Sequence, residues 1–211
     1  MAGTAVESAA VSRRDLDALH WVGEQYAVRA DQLAVWMNCN PRTVQRLLAR
    51  LREQHLAEVR RLLMGEPAWA IPTVKGLRAC GLQFGARRPR LGSLEHVAAV
   101  TEVRLHIQSR AGGSEWVCER VLAREKQTPQ EHLADGLVLL DGRRIAIEVE
   151  LTVKSKRRTR AIIDEMSRRY DTVLYYCAPG PLRLISELAA NGAWPSLGVR
   201  QLPTRCQSVK R

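Results

Sequence analysis

The sequence has few aromatic residues, no closely spaced cysteine pair and no apolar run long enough to cross a membrane. Aromatic residues make up 5% of the 211 residues, and phenylalanine occurs once. The five scattered cysteines argue against a disulfide framework and against a zinc site. A membrane-spanning helix needs about 20 apolar residues, so no membrane protein is expected. The chain also lacks a glycine loop that would cradle phosphates, which argues against nucleotide hydrolysis.

The N-terminal segment does not have the pattern of a secretory signal peptide. The chain starts MAGTAVESAAVSRR, without the apolar segment of a secretory signal, and a cytoplasmic location is expected. Residues 1–12 are small and polar, which predicts a disordered N-terminus. Residues 204–211 are expected to form a flexible tail.

What the sequence has instead is positive charge. The 33 lysines and arginines exceed the 22 acidic residues by 11, and the sequence pI is about 10.1. Such an excess attracts polyanions, so nucleic acid is the first candidate partner and an acidic membrane surface the weaker one. A basic protein that is merely soluble remains the alternative. Both halves of the chain are basic, so the charge is not confined to one of them.

Residues 13–84 change from helical periodicity to strand periodicity. The segment DLDALHWVGEQYAV has apolar residues at helical spacing, and a second short helix, ADQLAVWM, is predicted with Asp31 as its N-cap. A third helix, PRTVQRLLARLREQH, has Asn40 as N-cap and Pro41 in its first turn. The segments LAEVRRLL and AWAIPTV then predict a hairpin. Three helices followed by a hairpin is the order of a winged helix-turn-helix.

In a winged helix-turn-helix, the third helix enters the major groove of double-stranded DNA while the hairpin, or wing, touches the backbone. The alternative is a winged helix that contacts proteins and whose arginines are simply solvated. The DNA-contacting residues expected on the third helix and on the wing are Arg42, Thr43, Gln45, Arg46, Arg50, Arg60 and Arg61.

The segment GARRPRLG, residues 85–92, is a non-periodic junction and predicts a linker between two domains. Residues 93–203 then alternate between helical and strand patterns, in the order α-β-β-β-α-β-α. The predicted fold class is therefore α/β (α+β), with an N-terminal winged helix and a second αβββαβ domain. The dipeptide Asp141-Gly142 is a strong two-residue hairpin signal that pairs Leu140 with Arg143.

This register gathers acidic residues on one face of the second sheet. Asp135 faces Glu148 across the hairpin, and Glu150 lies diagonally on the same side because side chains alternate along a strand. Like charges placed opposite each other are destabilising, so the group needs a cation or shifted pKa values. The sequence therefore predicts a Mg²⁺ or Mn²⁺ site, or neutralisation by a basic side chain such as Lys154 or Arg144.

A basic run directly follows the acidic strand. If the glutamates hold a cation, these residues would hold the phosphates of a nucleic acid, as in metal-assisted phosphodiester hydrolysis. The alternative is a solvated helix face. The residues of the run expected to bind DNA are Lys156, Arg157 and Arg158.

The element order, the AD of ADGLV and the EVE of IEVELTVKSKRRTR resemble the PD-(D/E)XK nuclease superfamily, whose fold is restriction-endonuclease-like. Together with the helix–hairpin segment ending WAIPTVKGL and with EHVAAVTEVR, they resemble the replication-relaxation family of mobile-element proteins. The resemblance covers residues 15–180. It implies a role in plasmid or integrative-element replication or transfer.

The resemblance also implies roles for individual residues. Asp135 matches the motif aspartate and Glu148 the acidic residue of (D/E)XK, and a helical glutamate, Glu102 or less favourably Glu95, matches the extra metal ligand. Glu150 stands where the superfamily has lysine, and Lys154 in the next turn is the basic residue that can move in. The implied catalytic set is Asp135, Glu148, Glu150 and Lys154, and the implied metal ligands are Glu102, Asp135 and Glu148.

Three functions remain open at this point. The first is a metal-dependent endodeoxyribonuclease. The second is a non-catalytic transcriptional or replication regulator whose second domain forms a homodimer. The third is an adaptor that recruits a relaxase or replication protein. The five histidines, including His132, show no metal-ligand spacing and are expected at the surface or at helix ends.

Overall fold

The computed structural model describes residues 10–126 and 128–204. Within them the protein is a mixed α/β structure with two separate sheets, which confirms the predicted class. Two compact units divide between Val97 and Ala98, within a helix that follows the predicted linker at 85–92. Most of the predicted N-terminal and C-terminal flexible segments lie outside the described residues. Ser12, inside the segment predicted to be disordered, caps the first helix.

The first unit combines helices with a small antiparallel sheet whose strand order is β1-β3-β2. The helices and hairpin appear in the predicted order. The structure adds a two-residue strand before the second helix and a short helix after the hairpin. The elements are α1 (Arg13–Glu24), β1 (Val28–Arg29), α2 (Ala30–Trp36), α3 (Pro41–Glu53), β2 (Ala57–Arg60), β3 (Trp69–Pro72) and α4 (Val74–Ala79).

Local sequence determines where α2 and α3 begin. The Asn40 side chain accepts a hydrogen bond from the Thr43 N–H at 3.0 Å, and Pro41 opens α3, as predicted. The prediction of Asp31 as the cap of α2 is wrong, because that helix begins at Ala30 with Arg29 as its N-cap. Pairing of β1 with β3 keeps the backbone extended as far as Arg29, so the helix can begin only after it.

The second unit is built on a five-stranded sheet with strand order β4-β5-β6-β7-β8. The first three strands are antiparallel neighbours, and β7 and β8 continue the sheet in parallel with β6. The structure adds α6 and β8 to the predicted order. The elements are α5 (Leu94–Gln108), which begins in the first unit, β4 (Glu115–Cys118), α6 (Glu119–Leu122), β5 (Gly136–Leu140), β6 (Arg143–Glu150), α7 (Lys156–Arg169), β7 (Thr172–Cys177), α8 (Pro179–Ala190) and β8 (Leu197–Gln201).

The β5–β6 hairpin has the predicted register. Leu140 pairs with Arg143, and the ladder continues to Gly136 opposite Ile147. The two turn residues, Asp141 and Gly142, both have positive φ, at 50° and 74°. Since a two-residue turn of this kind needs left-handed backbone at both positions, the Asp-Gly pair fixes the alignment of the strands.

The two faces of the sheet have different coverings. Helices α7 and α8 pack against the face of Leu137, Ala146 and Val173, where they form a buried apolar cluster. On the other face, the ring of His106 from α5 lies 6.0 Å from that of Tyr176. The sheet is therefore covered by helices on both sides, with α5 opposite α7.

Two further observations concern the chain as a whole. Cys39, Cys80, Cys118 and Cys177 are free thiols. Across the described ranges, no helix combines the length and the apolar character needed to cross a bilayer.

Candidate functional site

Helix α3 has a basic face on the side opposite its buried face. Val44 and Leu51 are buried, and Arg42, Gln45 and Arg46 are exposed, as predicted. Thr43 is half-buried, and its hydroxyl lies 3.2 Å from the Asn40 side chain that caps the helix. Of the residues predicted to contact DNA on this helix, Arg42, Gln45 and Arg46 present their side chains to solvent, whereas Thr43 takes part in the cap.

Arg50 forms an ion pair with Asp15 that was not predicted from the sequence. Its Nη2 donates to Asp15 Oδ1 at 2.8 Å and its Nε donates to Asp15 Oδ2 at 3.2 Å. Burial alone would raise the pKa of Asp15, but the hydrogen bonds from Arg50 and Ser12 and the positive charge of Arg50 together leave it lowered. Arg50 therefore holds α3 to α1, and we expect this pairing to keep it from contacting DNA, unlike the sequence-based prediction.

Arg52 is a further exposed basic residue of α3 that was not among the predicted DNA contacts. It is exposed on the same helix face as Gln45, seven residues earlier, which is two helical turns. Gln45 and Arg52 of α3 and Arg61 of the β2–β3 hairpin line a groove of about 520 Å³ between these two elements. The groove thus carries positive charge from both elements.

The hairpin places its two arginines on opposite faces. Arg61 lines the groove beside α3, whereas Arg60 forms a 2.9 Å ion pair with Glu58 on the other face of β2. Both arginines are exposed. The turn of the hairpin is held by an ion pair of 3.4 Å between Glu66 and the buried Arg29. The predicted contacts Arg60 and Arg61 therefore face solvent on a hairpin that is fixed at its tip.

In the second unit, the three acidic residues lie on one face of the sheet. Glu148 and Glu150 are buried on β6, and Asp135 immediately precedes β5. Asp135 Oδ2 accepts a hydrogen bond of 2.7 Å from the Val149 N–H, which orients the carboxylate toward β6. Burial and the charges of Glu148, Glu150 and Asp135 all raise the pKa of Tyr175, which pairs with Glu148 in the neighbouring strand. The three acidic residues therefore lie on the same side of the sheet, as the predicted hairpin register requires.

Glu148 is neutralised on one side by a histidine. His132 Nε2 lies 3.0 Å from Glu148 Oε2, whereas Glu148 Oε1 is buried without a hydrogen-bond partner among the described residues. Burial raises the pKa of Glu148 to about 7. Burial lowers the pKa of His132, but the hydrogen bond with Glu148 and the negative charges of Glu148 and Asp135 together outweigh it and leave the pKa raised.

His132, which was expected at the surface or at a helix end, lies in the loop before β5; its side chain is 28% exposed and reaches Glu148. Its backbone N–H donates to Glu165 Oε1 at 2.8 Å, and its carbonyl accepts from Arg169 Nη1 at 3.1 Å. These bonds fix His132 to α7. No spacing in the sequence indicates the pairing, since 16 residues separate His132 from Glu148.

Glu150 is neutralised by Lys154, which forms a direct ion pair with it. Of the two basic residues considered for this role, Lys154 is the one that the structure brings to the acidic strand. Arg144 lies elsewhere, with its guanidinium carbon 5.2 Å from the centre of the Tyr170 ring.

The predicted set of three metal ligands is not assembled. Glu102 is buried on α5, on the opposite side of the sheet from Glu148. Across the described parts of the chain, no three or more His, Cys, Asp or Glu side chains are grouped so as to hold a metal ion. The prediction of Glu102 as a third ligand is therefore not supported by this geometry. Glu95, the less favoured candidate, lies at the start of the same helix.

A cleft of about 510 Å³ opens beside the acidic group. Asp135 and His132 line it together with two basic residues, Arg158 of α7 and Lys126. Arg158 thus lies near Asp135, as the predicted phosphate-binding role requires. Lys156 and Arg157 are exposed on the first turn of α7 but do not line this cleft. The sequence did not indicate Lys126.

Comparison with known proteins adds no identification. No family model matches the chain, and neither a curated protein nor a solved structure matches it significantly.

Proposed function

We propose that the protein binds double-stranded DNA through its first unit. The observation that carries this proposal is the basic face of α3, where Arg42, Arg46 and Arg52 are exposed opposite the buried face. The helices and the antiparallel hairpin follow the order of a winged helix-turn-helix, in which α3 would enter the major groove. A hairpin that carries Arg60 and Arg61 would then contact the phosphate backbone.

The mobile-element role implied by the sequence resemblance extends this proposal. A replication or transfer protein needs to hold a duplex while a partner acts on it, and the partner class would be a relaxase or a replication protein. A homodimer would present two such helices to one DNA site. The geometry of the first unit supports the DNA-binding step, which all of these roles share.

The test of DNA binding is a fluorescence-anisotropy titration of the full chain with a labelled duplex at several salt concentrations. Each phosphate contact releases counterions and lowers the slope of log K against log [salt] by about 0.9. Contacts from α3 and the hairpin predict a slope of roughly −4 or steeper. Binding that is absent at low salt, or that does not respond to salt, would contradict the proposal.

A second candidate function is metal-dependent hydrolysis of a phosphodiester bond. The buried Glu148 Oε1 without a hydrogen-bond partner favours it, since a carboxylate oxygen of this kind suits a cation. Mg²⁺ is commonly held by one or two carboxylates, and Asp135 and Glu148 fit this number. When bound, the ion would polarise the phosphate and activate a water molecule.

The protein residues around this position have distinct roles in such a reaction. His132 fixes Glu148 Oε2, and the Val149 N–H fixes Asp135 Oδ2. Arg158 lines the same cleft and would bind a phosphate through its guanidinium group. Lys154 compensates the charge of Glu150 and lies next to the acidic strand.

Supercoiled plasmid incubated with Mn²⁺ tests this candidate. We expect nicking by the parent protein and its loss in Asp135→Asn, which keeps the side-chain shape and removes the charge. The Arg183→Ala protein is the control, because Arg183 is paired with Glu187 on the exposed surface of α8. Equal nicking by parent and Asp135→Asn, or none with any divalent ion, would instead favour a regulator or adaptor that binds DNA without cleaving it.

A further inference from the structure

A strip of arginines lies in the segment that follows α4. Residues 82–90 form neither helix nor strand, and Arg87, Arg88 and Arg90 are exposed along it. Composition alone predicts a linker here. The structure shows that part of this segment is attached to the first unit.

The attachment is an ion pair to the β2–β3 hairpin. Arg88 contacts Glu58 of β2 directly through its guanidinium group, and the second oxygen of Glu58 lies 2.9 Å from Arg60 Nε. Arg88 lowers the pKa of the Glu58 carboxyl through this hydrogen bond. The segment is therefore held beside the face of the hairpin that carries Arg60.

Positive charges outnumber negative charges around Glu58. One carboxylate, Glu58, meets Arg60 and Arg88, while Arg87 and Arg90 extend the positive strip along the segment. Exposed guanidinium groups bind phosphate oxygens in a bidentate manner. Arg61 points to the groove on the other side of the hairpin, so this strip forms a second basic surface on the same element.

We propose that residues 85–90 form part of the DNA interface, with Arg87 and Arg90 binding phosphates that flank those reached by the hairpin. This inference rests on the proposed DNA binding by α3 and the hairpin. Arg88 acts differently, because its pairing with Glu58 positions the segment. The segment is thus an arm that lengthens the contacted stretch of duplex, in addition to connecting two parts of the chain.

The test compares Arg87→Ala/Arg90→Ala with the matched control Arg13→Ala/Arg78→Ala in salt titrations with the duplex. The control removes two exposed arginines from α1 and α4 of the same unit, so the net charge is equal. The arm variant is expected to reduce the magnitude of the salt slope by about two and to weaken binding at least tenfold near 0.1 M salt. Identical slopes and affinities for the two variants would overturn the proposal.

The Arg42→Ala/Arg46→Ala variant separates this inference from the proposed function. If that variant loses affinity and the arm variant matches its control, the arm proposal alone fails. If the parent protein shows no salt-dependent duplex binding, the proposed function fails and the arm proposal with it. Circular dichroism melting of each variant checks the fold, and a melting temperature equal to that of the parent assigns any affinity loss to the missing guanidinium groups.

Discussion

Replacing Arg42 and Arg46 with alanine is expected to weaken duplex binding roughly 60-fold at 0.1 M monovalent salt. Both guanidinium groups are exposed on α3, and each phosphate contact contributes a factor of about eight at this salt concentration. Removing the two side chains does not disturb the buried face, so stability should change by less than about 0.5 kcal/mol. Anisotropy titrations against a labelled duplex measure the affinity.

The Arg50→Ala variant is the informative comparison for this experiment. It removes an arginine from the same helix but leaves the buried Asp15 carboxylate unpaired, so it should destabilise the first unit by about 2 kcal/mol. This figure is below the usual cost of breaking a buried pair because the Arg50 side chain is 30% exposed. Its affinity for DNA, measured well below the unfolding temperature, should equal that of the parent. A large affinity loss in Arg50→Ala with no loss in Arg42→Ala/Arg46→Ala would contradict the assignment of the basic face.

Replacing Glu148 with glutamine is expected to make the protein more stable at pH 8, by up to about 3 kcal/mol. Burial raises the pKa of Glu148 from its usual value near 4.5 to about 7. Between pH 4.5 and 7 the Glu148 carboxyl is ionised in the unfolded chain but still protonated in the folded protein. The free energy of unfolding of the parent therefore falls as the pH rises from about 4.5 to 7. The raised pKa of His132 acts in the same direction, because the folded state holds its proton more tightly.

Chemical denaturation in the presence of EDTA, at pH 5 and at pH 8, measures this effect. The Glu148→Gln variant has no carboxyl to ionise and removes the interaction that raises the pKa of His132, so the loss of stability between the two pH values should shrink. Glu187→Gln, on the exposed surface of α8, is the matched control and should follow the parent. An unchanged pH dependence in Glu148→Gln would show that Glu148 is ionised in the folded protein at an ordinary pKa.

Much of the fold follows from short-range signals in the sequence. Asn40 and Pro41 fix the start of α3, and Asp141-Gly142 fixes the register of the β5–β6 hairpin. These signals act within a few residues, so no knowledge of the tertiary structure is needed. By contrast, β8 was not predicted, because its segment LGVRQ is partly exposed and has no buried apolar run.

The candidate site could be predicted only in part, because its partners come from distant segments. The convergence of Asp135 and Glu148 follows from the hairpin register, whereas the contact of His132 with Glu148 depends on how the preceding loop is fixed to α7. On α3, helical spacing places Arg52 on the face of Gln45. The ion pair between Arg50 and Asp15 can be predicted only if it is known that α1 packs against α3. The periodicity of a sequence does not predict contacts between side chains that lie far apart along the chain.

The central claim is that α3 and the β2–β3 hairpin hold the DNA. Hydrogen exchange of the full chain, followed by mass spectrometry with and without a saturating duplex, tests it most directly. The account predicts slower amide exchange in residues 41–53 and 57–72 when DNA is bound. Unchanged exchange in both segments, with protection confined to residues 98–204, would contradict it.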